Sequence, residues 1–522
     1  MNSTFRKLNN RAGWVVFILA AIVFCSCIEP TASFWDCSEY IACANGLETG
    51  HPPGAPFFLL IAKFFSLFSF GDKTLVAPLV NIMSATASAF TVLFLFWTIT
   101  HLARKIMLRK NEDHTSCKMW LVIAAGAIGA LSYAFTDSFW FSAEEGEVYA
   151  LSSFFTAIVF WAMLKWEDMA DDPHSDRWLV FIAYMVGLSV GVHLLNLLTI
   201  PAMVFIGYFR KTKRITWWGF SLAGICSVLL LGGVQDMIIP GIVNLAGKTE
   251  LYFVNDLHLP FNSGTIFYFG TLLLLLIGGI AFSHGKKIRW LNTTLIAFTV
   301  LLIGYSSFFV LVIRSQAGTP INEGSPTNAI SMLSYLNREQ YGDWPILYGQ
   351  YYNSPLDAEQ PYLDGNPVYV KDAAKGKYIV SDARKASVPN YDPKGCTYFP
   401  RMYDSGHGEG YSSWADVQGT PTTFSDKGGK TFSENIPTFG ENMRFFITYQ
   451  CGWMYMRYFM WNFCGRQNDR TGYGNDAEGN MLTCIPFVDN ERVGNQDLLP
   501  PSQKNNKAHN RYFLIPLLLG IL

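Results

Sequence analysis

Phe34-Trp35-Asp36-Cys37-Ser38-Glu39-Tyr40, followed at 50–56 by Gly50-His51-Pro52-Pro53-Gly54-Ala55-Pro56, decides how the chain is laid out. It breaks an otherwise apolar sequence directly after the first hydrophobic run. Two carboxylates, a histidine and a stiff Pro-Pro-Gly turn are thereby set at a membrane surface. The segment behind it, 55–70, is apolar but short, and it carries Lys63. It reads as a helix lying in the interface rather than crossing. The alternative is a true span whose lysine snorkels.

That choice fixes the topology downstream. Half of the 522 residues are hydrophobic and only 15% are charged, which is not the balance of a soluble globular protein. No basic stripe stands apart from the membrane flanks, so nucleic-acid binding is excluded as a partner class. A spanning helix needs about 20 mostly apolar residues. Nine stretches meet or approach that: 14–29, 74–100, 118–135, 148–164, 178–191, 194–209, 216–235, 263–283 and 290–313. The run 178–209 is split at Gly191-Val192-His193.

Basic residues cluster at Arg6, Lys7 and Arg11; at Arg104, Lys105, Arg109 and Lys110; at Arg210, Lys211, Lys213 and Arg214; and at Lys286, Lys287 and Arg289. With 55–70 not crossing, all four clusters fall on the cytoplasmic side, N-terminus included. The loops 30–73 and 136–147, and everything from about 314 to 510, then lie outside. A cleavable signal peptide is the lesser reading of the N-terminus.

The expected organisation is therefore mainly α. Residues 1–314 form a polytopic helix bundle, and 315–510 form a small α/β extracytoplasmic domain. Residues 511–522 open a tenth, truncated span. In the outer domain, Asn328–Arg338 has helical periodicity, and 345–348 and 377–380 read as short strands. The stretch 441–463 is a helix crowded with aromatics, with Arg444 and Arg457 interleaved, expected to pack against the membrane domain. The cysteines show no metal-ligand spacing; an oxidising compartment would permit disulfides without revealing their pairing.

Candidate chemistry gathers at four places. Asp36 and Glu39, three apart, share a helix face and can accept a proton from an incoming hydroxyl; His51, Pro52 and Pro53 follow as a rigid element. The plainer reading is that Asp36 caps a short helix. Glu144, Glu145 and Glu147 stand at the outer mouth of a span, able to bind a divalent metal, orient an acceptor or sit at a helix start. His193 and Asn196 mark an outward turn. Lys248, in the loop 236–262, and Arg314, at the end of the ninth span, can hold a lipid phosphate, although Arg314 also looks like a helix-end anchor. No cofactor is indicated beyond that open question of a divalent metal. Phosphate-loop, GxSxG, HExxH and dinucleotide signatures are absent.

Four motifs in order carry a resemblance: Trp35-Asp36-x-x-Glu39-Tyr40, Gly50 to Pro56, Phe139 to Leu151, and Gly191-Val192-His193-Leu194-Leu195-Asn196. They closely resemble a membrane family of Gram-negative bacteria grouped with protein O-mannosyltransferase-like enzymes as glycosyltransferase family 117, similar to the GT-C superfamily. The resemblance runs over about 10–320 and continues at 457–463 and 510–513. It implies a bacterial inner-membrane enzyme with a periplasmic outer domain. It further implies a polyprenyl-phosphate sugar donor, a protein or glycan acceptor, and surrounding membrane lipids as partners. By the same resemblance the sugar is a hexose such as mannose, Asp36 is the catalytic base with Glu39 its rival, and Glu145 and Glu147 belong to the second motif. The rival classes are a secondary transporter, which needs charges near the midplane, and a non-catalytic envelope scaffold.

Overall fold

A computed structural model describes residues 3–107 and 116–521. Arg109 and Lys110, counted above in a basic cluster, lie outside the described residues. The chain forms two compact units, Met1–Gln340 with Leu518–Leu522, and Tyr341–Leu517.

The first unit is helical. Its helices are α1 (Ser3–Cys27), α2 (Cys37–Gly46), α3 (Pro56–Ser66), α4 (Val76–Met107), α5 (Ser116–Ala134), α6 (Asp137–Glu144), α7 (Val148–Met169), α8 (Asp176–Val190), α9 (Thr199–Lys211), α10 (Trp217–Gly232), α11 (Ile239–Leu251), α12 (Ser263–Gly285), α13 (Arg289–Tyr305), α14 (Phe309–Gln316) and α15 (Ala329–Leu336). Among the described residues, eight helical stretches are long and apolar enough by length and composition to cross a membrane, one fewer than expected. The difference is α8. Its 15 residues rise about 22 Å at 1.5 Å each, short by itself of a bilayer core of about 30 Å; yet it runs from Asp176, paired with Arg289 of a basic cluster, to Gly191, whose carbonyl accepts from the Phe57 N–H beside the acidic turn, and so joins the same two ends as its neighbours.

A second correction concerns 236–262, expected as a loop. Helix α10 instead runs on through a π-helical turn, Gly233–Ile238, into α11 and a second such turn, Tyr252–Asp256. The polar residues that suggested a loop are absorbed locally. Glu250 is fully buried. Its carboxylate accepts hydrogen bonds from the backbone of Asn262 (2.6 Å) and Thr265 (2.9 Å), and so satisfies N–H groups that the first turn of α12 leaves open. Lys248 consequently sits exposed on a helix, not in a loop. The segment 55–70 is the short apolar helix α3 plus one tight turn.

Close packing relies on small residues, as expected where lipid supplies no hydrophobic drive between helices. Ser84, Ala85, Ser88 and Ala89 are buried on α4, which packs against α1, α5, α6 and α7. The tightest approach joins α8 to α13. A Cβ on Gly187 would lie 2.2 Å from the Leu301 carbonyl oxygen, and one on Gly304 would lie 2.5 Å from the Leu188 nitrogen.

The second unit pairs its strands two at a time, as in Val368–Asp372 with Lys377–Asp382 and Thr420–Ser425 with Thr431–Ile436. Tyr351, Met402, Tyr411, Phe424 and Phe445 form its core. The aromatic stretch is helical from Phe439 to Trp461, with a π-helical middle over Phe446–Met456. It starts at a capping box between Thr438 and Glu441. Arg457 is buried there against Trp453 and Trp461, and it donates to the carbonyls of Thr471 (2.9 Å) and Gly479 (3.0 Å). The helix of Asn328–Arg338 is α15 and belongs to the first unit.

Candidate active site

The site is assembled from the turn between α2 and α3. Trp35, in the left-handed region (φ 61°), delivers the chain into α2. Asp36 occupies the N-cap position but accepts no hydrogen bond from the helix, so it is not the cap that the plainer reading offered. Its Oδ2 stands 3.7 Å from His51 Nε2 instead. Glu39, on the same face, holds the other side of His51. Its Oε1 accepts from the His51 backbone N–H (2.6 Å) and lies 3.1 Å from Nδ1. An ionised carboxylate only accepts, so that contact assigns a proton to Nδ1 and leaves Nε2 facing Asp36. Gly50 is required for this: a Cβ there would lie 2.4 Å from Glu39 Oε1.

The turn is pinned from distant sequence. Tyr335, buried on α15, donates to the Gly50 carbonyl at 2.5 Å. Thr49 exchanges backbone bonds with Ile321 and Glu323 (3.1 and 2.9 Å). The Pro52–Pro53 bond is cis, Gly54 takes φ 81°, and Pro56 opens α3. Arg314 donates to the carbonyls of Leu47 (2.7 Å) and Gly46 (3.0 Å), satisfying the C-terminus of α2. Its expected role at a lipid phosphate is thus replaced, at those nitrogens, by that of a helix clamp.

The second acidic motif lies against the first. Glu147 caps α7 through the Val148 N–H (3.3 Å) and is buried. Asn81 donates to the carbonyls of Glu29 and Thr31, and the Glu29 N–H bonds the Glu144 carbonyl, so α1, α4 and α6 meet here. Burial, then the charges of Glu145 and Asp36, push the Glu147 carboxyl up to about 7. Burial, then Glu145 and Glu29, push Glu144 up to about 7 as well. Glu145 is raised by burial, against a hydrogen bond from Ser33. Tyr40, with its ring 5.5 Å from that of His51, is raised by burial and by Glu147, Asp36 and Glu39.

His193 and Asn196 part company. His193 Nδ1 accepts from the Leu195 N–H (3.1 Å), and its ring stands 5.4 Å from that of Tyr149. Burial, then Arg338, holds its imidazole below the usual range. Asn196 is fully buried, its amide donating to Ser189 Oγ at 2.8 Å, and it is a structural residue rather than a binding one. Arg338 is the cation near this mouth that the sequence presented only as the end of a helix. Tyr335 was likewise hidden, since nothing local connects it to 36–51, whereas Tyr149 stands inside the second motif. Among the described residues no group of three or more His, Cys, Asp or Glu side chains converges to hold a metal ion, and the cysteines are all free.

The two acidic motifs, His51 and His193 fall inside a recognisable stretch. Residues 36–216 match the Protein O-mannosyl-transferase TMEM260 N-terminal domain. That match begins at Asp36 and takes in both acidic motifs and His193. A curated relative, the Protein O-mannosyl-transferase TMEM260 of Mus musculus, is 26% identical over 211 residues, which is 40% of this chain and 27% of the mouse protein. The chain thus spans about a quarter of that relative's length. Residues 342–447 match a family of unknown function, DUF8416. No solved structure matches the chain.

Proposed function

We propose that this protein is a membrane glycosyltransferase that moves a sugar, a hexose such as mannose, from a polyprenyl-phosphate donor to a hydroxyl acceptor. The acceptor is a Ser or Thr side chain or another envelope component, and the reaction runs on the non-cytoplasmic face, with the second unit on that side as well. The similarity to the mouse O-mannosyl-transferase supports the reaction class. One geometric observation carries the assignment of roles: His51 stands between Glu39 and Asp36, and the two carboxylates differ in what remains free. The Glu39 side chain is 25% exposed and committed to His51; that of Asp36 is 59% exposed and touches only Nε2 in passing.

Asp36 then serves as the general base, taking the proton of the acceptor hydroxyl as the oxygen attacks the anomeric carbon from the face opposite the phosphate. The carbon–oxygen bond to the phosphate breaks, the phosphate leaves as the lipid monoester, and the anomeric centre inverts. Glu39 is a positioning residue that fixes His51. Arg338, near His193, offers positive charge to the phosphate as negative charge collects there. Glu147 and Glu145 shape the acceptor side of the mouth. The GT-C-like arrangement and the inner-membrane location belong to this same reading, and the positive clusters support the orientation.

The test uses full-length protein in native-like membrane, offered polyprenyl-phosphate sugars and a Ser/Thr-rich envelope protein. A hexose-sized mass gain on the acceptor, lost in Asp36→Asn with folding intact, supports the reading. No transfer by any version, where a known relative works, removes it.

A further inference from the structure

A second cavity lies at the other end of the same three helices. The acidic mouth sits at the end of α1 and the starts of α4 and α7. This cavity, of about 310 Å³, sits at the start of α1 and the ends of α4 and α7. From Glu147 to Lys165 is about 27 Å along α7 at 1.5 Å per residue, close to the thickness of a bilayer core. The two sites therefore open toward opposite membrane faces.

Its lining is unusual for a gap between membrane helices. Among the described residues, Arg6, Arg104 and Lys165 all line it, against one carboxylate, Asp168. Arg104 takes that carboxylate at 2.9 Å, and His101 Nδ1 lies 3.7 Å from it. Asp168 also reaches Lys165, so among the described residues that line the cavity one carboxylate is shared by three cations, and Arg6 and Lys165 lie within each other's field. The wall includes Trp14, Trp97 and Trp161, a residue type concentrated at headgroup depth. Trp97 Nε1, on the same wall, is a buried N–H donor with no hydrogen-bond partner among the described residues. A polar cavity with surplus positive charge and an unpartnered buried N–H donor is built for an anion.

We propose that this cavity binds a phosphate group, supplied by the headgroup of an anionic phospholipid in the leaflet opposite the acidic mouth. The phosphate oxygens meet Arg6 and Lys165, and the tryptophans take the glycerol region. The lipid is favoured over free phosphate because the walls are membrane-crossing helices ending in indoles. The inference does not depend on the transfer reaction.

The experiment is native mass spectrometry of delipidated full-length protein in detergent. It is titrated with short-chain phosphatidylglycerol, with short-chain phosphatidylcholine, and with inorganic phosphate. Wild type should retain one tightest phosphatidylglycerol, and Arg6→Gln/Lys165→Gln should weaken that site at least tenfold. Lys213→Gln, in another basic cluster, should leave it unchanged, and Lys165→Arg should preserve it. If the double variant does not fold, Arg6→Gln alone, at an exposed first-turn position, should weaken binding severalfold. Equal retention in wild type and variants overturns the site. Phosphate bound as tightly as the lipid, and lost in the same variants, overturns the lipid as its source. Equal affinity for phosphatidylcholine overturns the role of the anionic headgroup.

Discussion

Glu39 holds His51 by two separate atoms, the backbone N–H at 2.6 Å and Nδ1 at 3.1 Å. One carboxylate thereby fixes both where the turn sits and which way its imidazole faces. Asp36 has no comparable commitment. The two acids should consequently fail differently when changed.

Asp36→Asn should lower transfer about 10²–10⁴-fold, the usual contribution of a positioned base, with little change in thermal stability. Glu39→Gln should lower both, because His51 loses a charge-assisted partner. Activity assays paired with thermal unfolding in detergent separate the two. Equal stability loss in both variants would contradict the division of roles.

Arg338→Gln should raise KM for the lipid-phosphate donor more than it lowers kcat, if its charge serves donor binding. Lys248→Gln, at an exposed helical position, should change neither. Steady-state kinetics with varied donor distinguishes them.

Glu147 titrates in a range that the cell visits. Its carboxyl is raised from 4.5 to about 7 by burial and by Glu145 and Asp36. In the unfolded chain it gives up its proton near 4.5; in the fold it keeps it to about 7. The folded state binds the extra proton between those values, so stability from this group is full below 4.5 and is lost as pH rises to about 7. Glu144 works in the same direction. Melting temperature should fall from pH 5 to pH 8, and Glu144→Gln/Glu147→Gln should flatten that slope. A slope unchanged in the double variant would place its origin elsewhere.

Arg314→Ala should destabilise the protein by about 1.5–3 kcal/mol, the cost of hydrogen bonds to a charged group, by freeing the last carbonyls of α2. Arg314→Lys should recover part of it. Denaturant unfolding gives the difference, and activity should follow stability, since α2 carries Asp36 and Glu39.

Gly187→Ala should be poorly tolerated, because the new methyl group meets backbone, which cannot rotate away. Gly207→Ala, with open space around it, should be accepted. Yield of folded protein in detergent reports both.

The membrane helices were legible because hydrophobic length is a local property: Val148–Met169 and Ser263–Gly285 follow directly from it. Polar residues inside a helix were misleading for the same reason. Lys248 and Glu250 mark a loop to any local reading, yet Glu250 is buried because Asn262 and Thr265, beyond the next bend, bond to it. The acidic loop was legible as a place where chemistry could occur, but not as a geometry. Asp36 sits where a cap would sit, and only the position of His51 tells that its side chain turns elsewhere. Arg314 looked like a phosphate ligand because its acceptors, Leu47 and Gly46, lie far back in the sequence.

The bond from Tyr335 to the Gly50 carbonyl joins residues 285 positions apart. On a ribosome adding about 5–20 residues per second, roughly 15–60 s separate the emergence of the two ends. The acidic loop is made first and finished last. Until α15 has been made, the turn lacks the hydroxyl that pins it, and His51 is held by Glu39 alone on that side. The closure of that turn is timed by α15.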